Sequence, residues 1–214
     1  MPIKREAFGG VAFVLTLLVC ALPVRGQEVQ RALRIELMAA PNEPEHHVIK
    51  LGGALSTSRQ SLSGYVDFFG EGSGQRYSEL WWRTNVTNTG GLRIDLEEKR
   101  GVSAVVRAGY VLDLPAPTNF YFNVTVLPFA FSVIRDRKIL RTTKVSFFGS
   151  FTAGDFQLEN WTAWAPTEGR SPYLGGELTA RYSVIGPLAA EVQLAKDVRS
   201  AGWAARFGAR YQIF

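Results

Sequence analysis

The chain has 214 residues, 46% hydrophobic, 12% aromatic and 20% charged, with a net charge of +5. That composition fits neither a disordered chain nor a helical membrane protein, and the length suits one domain or at most two. The basic residues form no run and do not interleave with aromatics along a helix, which argues against nucleic acid as a partner. The single cysteine, Cys20, excludes a disulfide framework and a thiolate metal site.

Residues 1–26 have the layout of a secretory signal peptide. Lys4 and Arg5 open it, "GGVAFVLTLLVCALPV" is its apolar stretch, and "VRG" before Gln27 offers a small residue for cleavage. The stretch is too short to favour a retained membrane helix. Val19 before Cys20 is not the small residue that lipid attachment requires. The expected organisation is a signal peptide over 1–26 and one domain over 27–214.

From Gln27 onward the pattern has period two, the signature of strands with one oily and one polar face. Leu33, Ile35 and Leu37 alternate with Arg34 and Glu36, and Ile49 and Leu51 flank Lys50. Leu62, Val66 and Phe68 interleave with Ser61, Ser63 and Asp67; Leu80, Trp82 and Val86 with Arg83, Asn85 and Thr87. In "LRIDLEE" Leu92, Ile94 and Leu96 face one way and Arg93, Asp95 and Glu97 the other. Phe120, Phe122, Val124 and Val126 oppose Asn123 and Thr125. Leu178, Tyr182 and Val184 oppose Glu177, Thr179 and Arg181, and Val192 and Leu194 oppose Glu191 and Gln193. In the last segment Trp203, Ala205, Phe207, Ala209, Tyr211 and Ile213 alternate with Arg206, Gly208, Arg210 and Gln212.

Turn-forming breaks separate these segments: "PNEPE", "TSRQ", "GEGSG", "TNTGG", "EKRG", "LPAPT", "IRDRK", "TAGD", "PTEGRSP", "IGP" and "VRSAG". They predict an all-β fold, an antiparallel up-and-down barrel of about 12 strands, with ten as the alternative. Two places blur the phase: Pro128 suggests a bulge, and "ILRTTKVSFFGSFTA" is longer than its neighbours.

Alternation alone does not say which face is inside. Charge persists through the middle of the polar faces. Aromatic residues gather near strand ends, at Tyr77, Trp81, Trp82, Trp161, Trp164, Tyr173, Trp203, Tyr211 and Phe214, as interfacial girdles of a bilayer would require. The terminus "FGARYQIF" resembles the C-terminal signal of bacterial outer-membrane β-barrels, with Gly208, Tyr211, Ile213 and Phe214 carrying the match; Phe214 stands one step out of phase. The resemblance implies a transmembrane barrel in the outer membrane of a Gram-negative-type bacterium. It also implies two partners, the membrane lipid and the barrel assembly machinery that reads the last strand.

In such a barrel Arg34, Glu36, Arg83, Arg93, Asp95, Glu97, Arg107, Glu177, Arg181, Glu191, Arg206 and Arg210 are the candidate lumen-lining residues. The expected function is a narrow passive channel for small polar or anionic solutes, without cofactor, its fixed charges acting on the solute. A closed structural or assembly barrel is the alternative, because acids and bases could pair across the interior. A lipid-modifying enzyme would need His46 or His47, the only histidines, with Glu43 or Glu45 and a hydroxyl such as Ser56. The simpler reading is two solvated loop histidines, which on a strand would point to opposite faces and so make a poor metal pair. The N-x-T sites at Asn85, Asn123 and Asn160 read as polar strand residues.

Overall fold

A computed structural model describes residues 29–41, 47–69, 76–99, 103–132, 139–140, 142–167, 170–196 and 202–214. The expected signal peptide lies outside these residues. The first seven strands are β1 (Gln30–Ala39), β2 (Val48–Ser56), β3 (Gln60–Phe69), β4 (Arg76–Thr87), β5 (Gly90–Lys99), β6 (Ser103–Leu114) and β7 (Phe120–Ser132). They are followed by β8 (Ile139–Leu140), β9 (Lys144–Ala153), β10 (Phe156–Thr167), β11 (Arg170–Ile185), β12 (Leu188–Lys196) and β13 (Ala204–Gln212).

Apart from β8, each strand pairs antiparallel with its neighbours in sequence, and β1 closes the wall on β13. The two residues of β8 pair with the end of β7 and prolong the ladder that β9 makes with it, so the wall is a closed barrel of 12 strands. Closure removes every sheet edge, which is the condition for a sheet to stand in lipid.

The breaks read from the sequence fall between the strands. At one end the connections are short, as between Ser56 and Gln60, Thr87 and Gly90, Ala153 and Phe156, and Ile185 and Leu188. Both termini of the barrel lie at this end. Leu33 donates its N–H to the Phe214 carbonyl at 3.1 Å, and Ile213 donates to the Leu33 carbonyl at 2.8 Å. The opposite end carries longer connections, as between Ala39 and Val48 and between Lys196 and Ala204, beside short ones such as those between Lys99 and Ser103 and between Thr167 and Arg170.

Pro128 does shift the phase. The β6–β7 register slips between Ala108 and Tyr110, leaving Leu127 and Pro128 opposite the single residue Gly109. A proline cannot donate to the ladder, so the chain bulges where it sits. Gly109 is what lets the bulge press in, because a Cβ there would stand 2.0 Å from the Val126 carbonyl oxygen and 2.8 Å from Pro128 Cδ.

The packing is inverted relative to a soluble protein. Leu37 (54%), Ile94 (43%), Val192 (46%) and Phe207 (51%) are exposed, while Glu36, Asp95, Glu191 and Arg206 on the same strands are buried. Water does not tolerate an apolar exterior of this extent around a charged interior, whereas a bilayer around a polar lumen requires it.

Candidate functional site: the polar lumen

Each strand delivers its polar face inward, and a cavity of about 350 Å³ lies inside the wall. Of the residues assigned to the lumen from sequence, Arg34, Glu36, Arg83, Arg93, Glu177 and Arg181 line this cavity. Asp95, Arg107, Glu191 and Arg206 are buried. Glu97 holds Lys144, and Arg210 stands directly opposite Glu36 on β1. Inward residues that the sequence reading did not single out as lumen lining include Lys50, Asp67, Glu79, Asp113, Lys144 and Glu159. Lys50 and Asp67 already stood at polar positions of the alternation. Glu79 is hidden ahead of the apolar run Leu80, Trp81, Trp82, and Lys144 follows the break between β8 and β9, where no phase can be read.

These groups form three clusters. On one side of the barrel Lys144 Nζ lies 3.1 Å from Glu79 Oε1, 2.5 Å from Glu97 Oε1 and 3.9 Å from Asp95 Oδ2. Arg93 bonds Asp95, and Arg107 Nε lies 3.5 Å from Glu97. Tyr65 and Tyr77 both donate their hydroxyls to Glu79. On the other side Arg181 gathers Glu159, Glu191 and Glu36, and Arg34 Nε lies 2.8 Å from Glu36 Oε1. There Lys50 Nζ reaches Glu177 Oε2 at 3.3 Å, and Gln193 links Glu177 to Arg206. Near the short-turn mouth Arg83 grips Asp113 with two nitrogens while Tyr121 donates to the same carboxylate at 2.7 Å.

Several of these contacts cross the lumen rather than follow the wall. Lys144 on β9 reaches Glu79 on β4, and Lys50 on β2 reaches Glu177 on β11; each pair is four steps apart around the barrel. The inward charges balance. Among the described residues nine cations (Arg34, Lys50, Arg83, Arg93, Arg107, Lys144, Arg181, Arg206, Arg210) meet nine carboxylates (Glu36, Asp67, Glu79, Asp95, Glu97, Asp113, Glu159, Glu177, Glu191). A wall so paired carries little net field along the passage.

The aromatic expectation needs correcting in part. Trp164, Trp203 and Tyr211 are exposed in the outward phase, as girdle residues should be, and Phe214, one step out of that phase, is exposed beyond the end of β13. Trp81 and Trp161 instead line the cavity, under Arg93 at 5.3 Å and Lys144 at 5.7 Å. Tyr77 packs against Tyr65 with ring centroids 6.0 Å apart, on the inner face. Tyr77 and Trp81 share the phase of Glu79 and Arg83 on β4, and Trp161 shares that of Glu159 on β10; both tryptophans stand mid-strand rather than near strand ends. The Tyr173 side chain lies outside the described residues.

Among the described residues the hydrolase arrangement is not assembled. His47 contacts the Ala40 carbonyl through Nε2 at 3.1 Å. Ser56 stands at the far end of β2, about 30 Å away at the rise of an extended strand. His46, Glu43 and Glu45 lie outside the described residues.

A closed 12-stranded antiparallel barrel with an apolar exterior and a charged, hydrogen-bonded interior is a porin-like outer-membrane β-barrel. No family model matches the chain, and no curated protein matches it. Among solved structures it is similar to the KdgM porin, with a TM-score of 0.57 and 10% identity, covering 84% of this chain and 98% of that one. It is also similar to the NanC porin, with a TM-score of 0.60 and 7% identity, covering 85% and 98%. A KdgM porin in complex with disordered oligogalacturonate gives a TM-score of 0.57 at 12% identity, covering 85% and 98%. At such identities the likeness is one of fold.

Proposed function

We propose that the protein is a narrow passive channel for small polar solutes in a bacterial outer membrane. The observation that carries the reading is the inverted barrel: an apolar outer wall around a charged lumen that holds a cavity of about 350 Å³. The short-turn end, with both termini, is placed in the periplasm by the general rule for such barrels. The KdgM structure with oligogalacturonate supports solute binding on this fold. The balance of nine cations against nine acids favours uncharged or zwitterionic solutes over the anions that the arginines alone suggested. The exposed Phe214 and its pairing with Leu33 suit a last strand presented to the assembly machinery and finally zipped to β1.

One observation favours a closed structural barrel as the second reading. Toward the end with the longer connections the inward positions turn apolar and buried, at Met38, Val48, Leu127, Ala130, Ala163, Ala195 and Ala204. Single-channel recording in planar bilayers separates the two, on protein whose folding is verified by a heat-dependent gel shift. Discrete current steps, with swelling of protein-loaded liposomes in small neutral sugars, support the channel. Silence from folded protein overturns it in favour of the closed barrel.

A further inference from the structure

The Lys144 ammonium occupies a place built for a cation. Glu79, Asp95 and Glu97 each offer an oxygen there, all within 4.8 Å of one another. Oxygens bound to one calcium-sized ion stand at most about 5 Å apart, so the three converge on a sphere of that size. The register explains why an ammonium is needed. Glu79 lies directly opposite Glu97 across β4 and β5, a like-charged pair that destabilises a ladder unless a cation joins it. Arg93 and Arg107 serve Asp95 and Glu97 from the same wall, whereas among the described residues the cation that Glu79 meets in an ion pair is Lys144, from across the lumen. With Lys144 in place the cluster holds three cations and three carboxylates. Without it the cluster carries one uncompensated negative charge.

We propose that Lys144 acts as a tethered cation that fills an acidic site in the lumen wall, keeps free metal cations out of it and is needed to hold the passage without a preference for cations. The proposal rests on the channel reading for its electrical consequence; its metal-exclusion consequence stands without it. Lys144→Met opens the site to a hard divalent or trivalent ion. Trp161 makes this visible, because its ring centroid lies 5.7 Å from the ammonium position and an indole that close sensitises terbium emission.

The test has two arms on refolded protein. In detergent, terbium is added to wild type, Lys144→Met, Lys144→Arg and Lys144→Met/Trp161→Phe. The expected result is indole-sensitised, chelator-reversible emission at least tenfold stronger for Lys144→Met than for wild type. Lys144→Arg should stay dark, and removal of Trp161 should dim the signal. In bilayers under a potassium chloride gradient, wild type should reverse near zero, Lys144→Met should prefer cations and lose current to added calcium, and Glu97→Gln should prefer anions. Folded Lys144→Met with terbium emission no stronger than wild type overturns the proposal. Unchanged reversal potentials in both Lys144→Met and Glu97→Gln overturn it equally, and Glu97→Gln alone decides if Lys144→Met does not fold. If no variant carries current, the channel reading falls and the terbium arm alone decides the role of Lys144.

Discussion

Arg181 shows what a lumen residue is worth and how much of it a sequence displays. Its phase with Glu177 and Thr179 put it inside, and its neighbour Glu191 was legible on the next hairpin strand. Its other acids were not: Glu159 sits on the neighbouring strand β10, where no alternation was read, and Glu36 meets it from β1, three strands away, a contact that depends on strand tilt and closure, which no local pattern encodes. Arg181→Met takes a cation from two buried carboxylates, Glu36 and Glu191, and from the partly exposed Glu159, and should cost about 3–5 kcal/mol, as breaking a buried ion pair does. Arg83→Met, at the short-turn mouth where both partners are partly wet, should cost roughly 1 kcal/mol. Urea unfolding in micelles checks both, and equal costs would contradict the division between mouth and interior. Gly208 is a different case. It was read as part of a terminal signal, yet a Cβ there would lie 1.9 Å from the Leu37 carbonyl oxygen on β1, so the first and last strands close only over a glycine. Gly208→Ala should lower stability by about 1–3 kcal/mol through overpacking of that seam. Gly202→Ala, where a Cβ meets nothing within 4 Å, is the matched control.

The strands themselves were largely legible, because a strand with lipid on one side and water on the other must alternate, and the breaks between strands carry turn residues. Legibility failed where the two solvents stop being distinct. Trp81 and Trp161 are amphipathic, suit an interface or a wet lumen, and so carry no phase of their own. The segment from Ile139 to Ala153 read as one long strand because nothing in its composition marks the interruption that separates β8 from β9. The alternation gives a sharp test in adjacent residues of β12. Val192 faces outward and Gln193 is buried inside, bonded to Thr179 and Arg206. Val192→Arg should cost about 2–4 kcal/mol, the penalty for arginine on the lipid face near mid-membrane. Gln193→Arg should leave a barrel that still inserts and should instead alter the charge of the passage. Folding yield into lipid vesicles, read by the heat-dependent gel shift, separates them, and comparable losses would contradict the assignment of faces.

At the scale of the whole molecule the decisive property is a sum that no single residue reveals. Among the described residues, nine inward cations against nine carboxylates leave a lumen whose groups are spent on one another, with ties from β4 to β9 and from β2 to β11 narrowing the passage. Under the channel reading, a fixed wall of this kind should pass ions with little preference for sign and offer a polar solute hydrogen bonds without a net electrostatic barrier. The prediction is a reversal potential near zero for wild type in a potassium chloride gradient. Arg206→Glu combined with Arg210→Glu moves the lumen from neutral to four negative charges, since each substitution removes one cation and adds one acid. That change should drive the reversal potential toward the potassium value, and more steeply at low salt, where screening reaches about 30 Å at 0.01 M rather than about 10 Å at 0.1 M. A wild-type channel already strongly selective would mean that one sign of charge reaches the permeating ion unpaired. The balance of the wall would then have no bearing on what passes, and the arginines would regain the anion-guiding role that their number in the sequence first suggested.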